Sequence, residues 1–199
     1  MKLLISTHND DSVLFASFAL QAARPRVLTV FDSYIQVARG QPRCDAATRR
    51  DEDIEAITRR LKCTVQFAGV RDDLQEAAAR VAVREALSGF VGASMNLYLS
   101  ATTVEPIEEV WLPAVEENGH DQHNMVGEIG LEVFAGAKIH RYLSYTRTGG
   151  KSTNGNRVPC NGLMVRKKLE ALACYKTQIE IEALGCWPHF LDLNEYLVD

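Results

Sequence analysis

Short apolar runs alternate with amphipathic stretches of ten or more residues along nearly the whole chain, and this alternation limits the fold more than any other feature. Residues 3–6, 27–31, 64–68, 110–114 and 139–146 are apolar or β-branched and read as strands. Residues 12–23, 45–61, 74–87, 125–134 and 165–184 carry helical spacing. Val13, Phe15, Ala16, Ala19 and Leu20 line the first, and Ile54, Ile57 and Leu61 the second. Strands separated by helices join through right-handed crossovers, so the pattern predicts an α/β fold with a mainly parallel sheet. With 199 residues, one domain spanning 1–199 is expected. Ligands of such sheets bind beyond the carboxyl ends of the strands. Residues 146–161, rich in Gly, Ser, Thr and Asn, read as a loop that is either a lid or a solvated connector.

Composition narrows the function. Twenty-six acidic residues against 22 basic ones give a formal charge of −4, so the chain as a whole does not attract nucleic acid or an anionic membrane. No stretch approaches the roughly 18 apolar residues of a membrane span, and no membrane insertion is expected. The apolar run at the start is broken at once by His8, Asp10 and Asp11, too early for a signal peptide. Five cysteines, an odd number without a CxxC pair, predict free thiols. The expected location is cytoplasmic.

Two patterns imitate binding motifs. Gly150-Lys151-Ser152 ends like a phosphate-binding loop, but the glycine required at 145 is Tyr145, and the residues that follow start a helix poorly. No GxGxxG follows the first strand, so a dinucleotide site is not expected. Arg43, Arg49, Arg50, Arg59 and Arg60 are interleaved with Asp45, Asp51, Glu52, Asp53 and Glu55, which predicts intrahelical pairing on a solvated face.

The constellation that carries chemistry is split between two segments. His8-Asn9-Asp10-Asp11 stands where the first strand ends and its helix begins, and His120-Asp121-Gln122-His123 follows the fourth strand and opens another helix. Both map to the same edge of the sheet, and together they hold three of the five histidines. Imidazole and carboxylate are usual zinc ligands, and a catalytic zinc keeps three protein ligands. His8 and Asp11 can converge across the turn, with His123 completing the set. Asp10 and His120 then stand beside the metal, as residue types suited to a general base and to oxyanion support. Either segment alone also reads as a helix cap, for which Asp is well suited; the two at equivalent strand ends favour a metal site.

On these residues the chain resembles the LmbE/PIG-L-like zinc de-N-acetylases. The family's first motif, HPDD(E), reads here His8-Asn9-Asp10-Asp11-Ser12, and its HxxH reads His120-Asp121-Gln122-His123, followed by Gly127. A weaker RxxE signal fits Arg49 with Glu52, or Arg50 with Asp53, and Asp72 is the acid that follows. A C-terminal KxxAxxxYxSQ pattern is met by Lys168, Ala171, Tyr175, Thr177 and Gln178, with Thr for Ser. The resemblance covers nearly the whole chain in the right order.

It implies a Rossmann-like three-layer α/β sandwich. It implies His8, Asp11 and His123 as ligands of one Zn2+ per chain, Asp10 as general base, and His120, as imidazolium, stabilising the oxyanion. Arg49 or Arg50 and Asp72 would touch substrate hydroxyls. The implied reaction is hydrolysis of the N-acetyl group of a small-molecule N-acetyl amino sugar or its conjugate, giving acetate and a free amine. No nucleic-acid partner is implied, and a homo-oligomer stays open. Three departures stand out: Asn9 replaces a stiffening proline, Ser12 a common Glu, and Gln122 an Asp that often orients the first histidine of HxxH, with Asp121 as a substitute. They motivate the rival expectation of a catalytically silent, sugar-binding member of the same fold.

Overall fold

A computed structural model describes residues 1–33, 45–97, 106–148, 150–179 and 193–198. Five parallel strands, β1 (Lys2–His8), β2 (Arg26–Phe31), β3 (Val65–Val70), β4 (Glu109–Pro113) and β5 (Lys138–Tyr142), form the body of a seven-stranded sheet. Two short strands extend it: β6 (Asn156–Arg157) pairs antiparallel with β7 (Tyr196–Val198), and β7 antiparallel with β5. The order is β3-β2-β1-β4-β5-β7-β6. From β1 the chain winds outward through β2 and β3, then returns to lay β4 and β5 on the other side. The switch point therefore falls between the carboxyl ends of β1 and β4, the crevice where open α/β sheets bind ligands.

Both faces of the sheet are covered, which is why β1 is apolar without interruption from Leu3 to Ile5. Leu4, Val27 and Trp111 pack under α1 (Asp11–Ala23), a helix over 45–60, and α5 (Gly162–Leu172). Leu3, Ile5, Leu28, Val30, Val110 and Leu112 pack under α3 (Glu76–Leu97) and α4 (Asp121–Val133). The result is the mainly parallel α/β sheet expected from the alternation, in the three-layer sandwich that the resemblance implies. Among the described residues no helix is long and apolar enough to cross a membrane, and Cys63, Cys160 and Cys174 are free thiols.

Helix α1 is kinked: Ala16 is non-helical, at φ −138° and ψ 20°. Two groups near the break are taken up from elsewhere. The carbonyl of Leu14 accepts from Lys168 Nζ at 2.7 Å, and the amide of Phe18 donates to Glu195 Oε2 at 2.8 Å. Lys168 and Glu195 are buried and paired with each other at 2.7 Å.

Several boundaries differ from the sequence expectation. The helix over 45–61 is α-helical as α2 (Ala46–Asp53) and π-helical over Ile54–Arg60. The helix expected over 74–87 runs as α3 from Glu76 to Leu97. The long helix expected over 165–184 is broken: α5 stops at Leu172, the amides of Cys174 and Tyr175 tighten onto carbonyls three residues back, and α6 (Lys176–Ile179) restarts. The break lets Tyr175 turn inward, fully buried, onto Asp53. Residues 180–184 of that expectation, the cysteines at 44 and 186, and Arg43 lie outside the described residues. The stretch at 146–161 is not all loop, since it contains β6. Lys151 forms a β-bridge with Tyr145, so the Gly150-Lys151-Ser152 triplet opens no helix.

Candidate active site

The turn between β1 and α1 is a strained piece of backbone. Asp10 caps α1 at φ 81°, a left-handed conformation that costs a non-glycine residue of order 1 kcal/mol or more. Asp53, fully buried at the end of α2, holds this turn. Its Oδ1 accepts the Asp10 amide at 3.1 Å and the Tyr175 hydroxyl at 2.7 Å. Its Oδ2 accepts Asn9 Nδ2 at 2.8 Å and Thr29 Oγ1 at 3.2 Å. Asn9 thus replaces proline's stiffness with a side-chain anchor. Arg49 Nη2 completes the clamp, donating to the Asn9 carbonyl at 2.9 Å and to Asp10 Oδ2 at 3.0 Å.

The opposite wall is the start of α4. Here the cap is relaxed: His120 sits in extended backbone, at φ −64° and ψ 135°. Gly127 brings the helix close, because a Cβ there would lie 2.5 Å from the Pro113 carbonyl at the end of β4. One turn into the helix, His123 points to the crevice and is fully buried. Its ring packs against Tyr145 at 4.7 Å between centroids and against the His120 ring at 5.3 Å.

Three ligand-type atoms converge between the walls. Asp11 Oδ2 lies 3.1 Å from His8 Nδ1 and 3.1 Å from His123 Nε2, and the two nitrogens are 3.3 Å apart. Among the described residues, His8, Asp11 and His123 form a group able to hold a metal ion. The outward nitrogens are also engaged: His123 Nδ1 lies 2.8 Å from Ser144 Oγ, and His8 Nε2 lies 2.7 Å from Gln122 Oε1. Two imidazole nitrogens and a carboxylate oxygen turned on one point, with outer partners behind them, is the donor arrangement of a protein metal centre.

Electrostatics separates the groups. Burial pushes the Asp10 carboxyl up to about 8, against the pull of the Arg49 guanidinium. Burial would also raise Asp11, but the charges and hydrogen bonds of His123 and His8 dominate and hold it below the usual carboxylate range. Burial lowers His8, yet its hydrogen bond and charge interaction with Asp11 leave it raised overall; His123 stays lowered by burial. Burial, then the charges of His123 and His8, push His120 down to about 4. Burial thus works against the imidazolium expected at His120, whose buried Nδ1 has no hydrogen-bond partner among the described residues. Its expected helpers lie elsewhere: Gln122 faces His8, and Asp121 pairs with Arg147 on the surface.

The two arginines separate as well. Arg49 reaches Asp10, whereas Arg50 donates to Asp32 Oδ2 at 2.9 Å, and Asp32 Oδ1 accepts the Gly69 amide. Among the described residues, Arg59 and Arg60 both pair with Glu55 within their own helix. Asp72 meets the site through its main chain, its carbonyl accepting Gln122 Nε2 at 3.1 Å. Glu52 binds the amide and hydroxyl of Thr177, joining α2 to α6. Sequence reasoning did not single out the contacts of Asp53, Ser144 or Gln122 to the turn and the ligands. Ser144 follows β5 and carries no motif; Asp53 showed only as one reading of a degenerate RxxE.

The fold is shared with solved structures. The chain is 18% identical to a triple mutant of a deacetylase involved in the teicoplanin biosynthetic pathway, with a TM-score of 0.67 over 95% of this chain and 87% of that one. It is 18% identical to the N,N'-diacetylchitobiose deacetylase from Pyrococcus horikoshii in complex with an inhibitor, with a TM-score of 0.65 over 98% and 82% of the two chains. A conserved protein from Thermus thermophilus is 14% identical, with a TM-score of 0.55 over 100% and 93%. No family model matches the chain, and no curated protein sequence does.

Proposed function

We propose that this chain is a zinc-dependent N-deacetylase that hydrolyses the acetamide of a small N-acetyl amino sugar or its conjugate. The observation that carries the reading is the convergence of His8 Nδ1, Asp11 Oδ2 and His123 Nε2 at the sheet's switch point, all within 3.3 Å of one another. Ligand atoms about 2.0–2.1 Å from a tetrahedral zinc lie about 3.3 Å from each other, so the donor set fits that ion. The fold similarity to enzymes named as deacetylases, one of them for diacetylchitobiose, supports the choice of substrate class.

A zinc ion held by His8, Asp11 and His123 would polarise the acetamide carbonyl and acidify a water molecule. Asp10 is the general base. Burial would keep its carboxyl protonated at neutral pH, and Arg49 at 3.0 Å works against that burial. A cation on the adjacent Asp11 acts in the same direction. A carboxyl poised near neutrality can take a proton from water and return it to the departing amine. His120, held neutral, offers an N–H to the carbonyl oxygen as charge builds there. Arg49 thus acts on Asp10, and contact with substrate hydroxyls is assigned to Arg50 and Asp72.

The test is a panel of N-acetylated sugars, nucleotide sugars and glycosides incubated with zinc-loaded protein, reading acetate and primary amine. Equal release of both is expected. Asp10→Asn should keep its zinc and lose about a hundredfold or more in turnover, the usual scale for a lost general base. Zinc bound without release from any substrate would favour the silent sugar-binding reading, and a chain that binds no zinc would overturn the metal centre.

A further inference from the structure

Among the described residues, Gln122 links a ligand of the candidate metal centre to the loop after β3. It is the second residue of α4, half-buried, beside His123. Its two amide ends face two different walls of the crevice. Nε2 donates to the Asp72 carbonyl at 3.1 Å, and Oε1 lies 2.7 Å from His8 Nε2. A carbonyl oxygen can only accept, so Asp72 sets which way the amide points. The amide oxygen turned toward His8 can also only accept, so His8 Nε2 must carry the proton. In a neutral imidazole the lone pair then falls on Nδ1, the atom 3.1 Å from Asp11 Oδ2 and 3.3 Å from His123 Nε2.

We infer that Gln122 is a positioning residue that selects the metal-ligating tautomer of His8 and is itself oriented by the main chain at Asp72. This rests on His8, Asp11 and His123 being the metal ligands. The α4 helix thereby supplies a ligand through His123 and the outer partner of a second ligand one residue earlier. Outer partners of metal-bound histidines set ring orientation and ligand basicity. An amide does the first without adding charge. A carboxylate at this position would accept from His8 equally well and would raise its basicity, but would set an oxygen against the Asp72 carbonyl.

The test reads metal binding and needs no substrate. Zinc affinity is measured by chelator competition for wild type, Gln122→Ala and Gln122→Glu. In cadmium-loaded protein with nitrogen-labelled histidine, metal–nitrogen coupling identifies the bound ring atom of His8. In wild type the coupled atom is Nδ1. Gln122→Ala should bind zinc about ten- to a hundredfold more weakly, the usual scale for losing such a partner, and should lose single-site coupling. Gln122→Glu keeps the acceptor for His8, so the bound ring atom should stay Nδ1, while the oxygen it sets against the Asp72 carbonyl should leave its affinity between those of Gln122→Ala and wild type. If Gln122→Ala does not fold, Gln122→Glu against wild type decides alone. Wild-type affinity in Gln122→Ala, coupling through Nε2 of His8 in Gln122→Glu, or coupling through Nε2 of wild-type His8 would overturn the inference. Metal binding that behaves as stated while no N-acetyl sugar is hydrolysed would sink only the deacetylase reading. A wild type that binds neither ion would sink both.

Discussion

The two walls of the crevice end in the same device, a strand running into a helix N-terminus, yet they are held in different ways. The β1–α1 turn carries a left-handed Asp10, and five side chains serve to keep it there: Asp53 and Arg49 from α2, Thr29 from β2, Tyr175 from the break before α6, and Asn9 from the turn itself. The β4–α4 turn is relaxed and is packed by rings, with Tyr145 against both His120 and His123. Asn124 ties its backbone, bonding the amide and carbonyl of Glu116, while Ser144 and Gln122 orient the imidazoles. Strain has to be balanced by hydrogen bonds to buried charge, whereas an unstrained cap leaves its polar neighbours available to the ligands.

The sharpest way to break this contrast is Asp53→Ala. It leaves four donors of the β1 wall without their acceptor, and about 3–5 kcal/mol of stability should be lost, the scale for removing one partner of a buried charged network. For a chain of this size that lowers the melting temperature by roughly 10 °C, read by calorimetry on the metal-stripped protein. Tyr175→Phe removes one of the four and should cost about 1.5–3 kcal/mol, as for one hydrogen bond to a charged group. A melting point unchanged by both would show that the turn holds itself.

On the other wall, Ser144→Ala should cost only about 1 kcal/mol of stability while weakening zinc binding roughly tenfold, because it frees the outer nitrogen of His123. Equal losses of stability from Ser144→Ala and Asp53→Ala would erase the distinction between the walls.

The smallest expected effect is in the pH dependence of the metal-stripped protein, where the walls have opposite signs. His120 is depressed from 6.5 to about 4, so the unfolded chain binds the extra proton between those values. Its contribution is full above 6.5 and is lost as pH falls toward 4. Asp10 is raised from 3.8 to about 8, so the folded chain binds the extra proton. Its contribution is full below 3.8 and is lost as pH rises through 8. The two oppose each other between 4 and 6.5; above that His120 contributes no slope, and Asp10 acts in the same direction as His8, which is also raised. Melting curves should therefore show that Asp10→Asn flattens the decline between 6.5 and 8, and that His120→Ala makes stability fall more steeply with rising pH between 4 and 6.5. Parallel profiles for wild type and both variants would show that neither group is perturbed.

Periodicity along the chain determined that strands and helices alternate, that the sheet is mainly parallel, and that His8, Asp11 and His123 meet at one edge of it. Those features follow from local rules: side chains repeat every two residues in a strand and every 3.6 in a helix, and parallel strands need crossovers. Element boundaries were less legible where a distant partner overrides local preference. The helix expected over 165–184 carries unbroken helical spacing, and nothing local says that Tyr175 must leave the helix to reach Asp53. Likewise, Arg49 and Arg50 are indistinguishable within their helix; only the packing of α2 against the turn sends one to Asp10 and the other to Asp32. Gln122 is the clearest case, because an amide one residue before a ligand has no reason in the sequence to face a histidine 114 positions away. The residue types able to hold a metal were set by the chain itself. Their protonation, their outer partners and the strained turn were decided by tertiary structure, since burial and hydrogen bonds across the crevice exist only once β1 and β4 lie side by side.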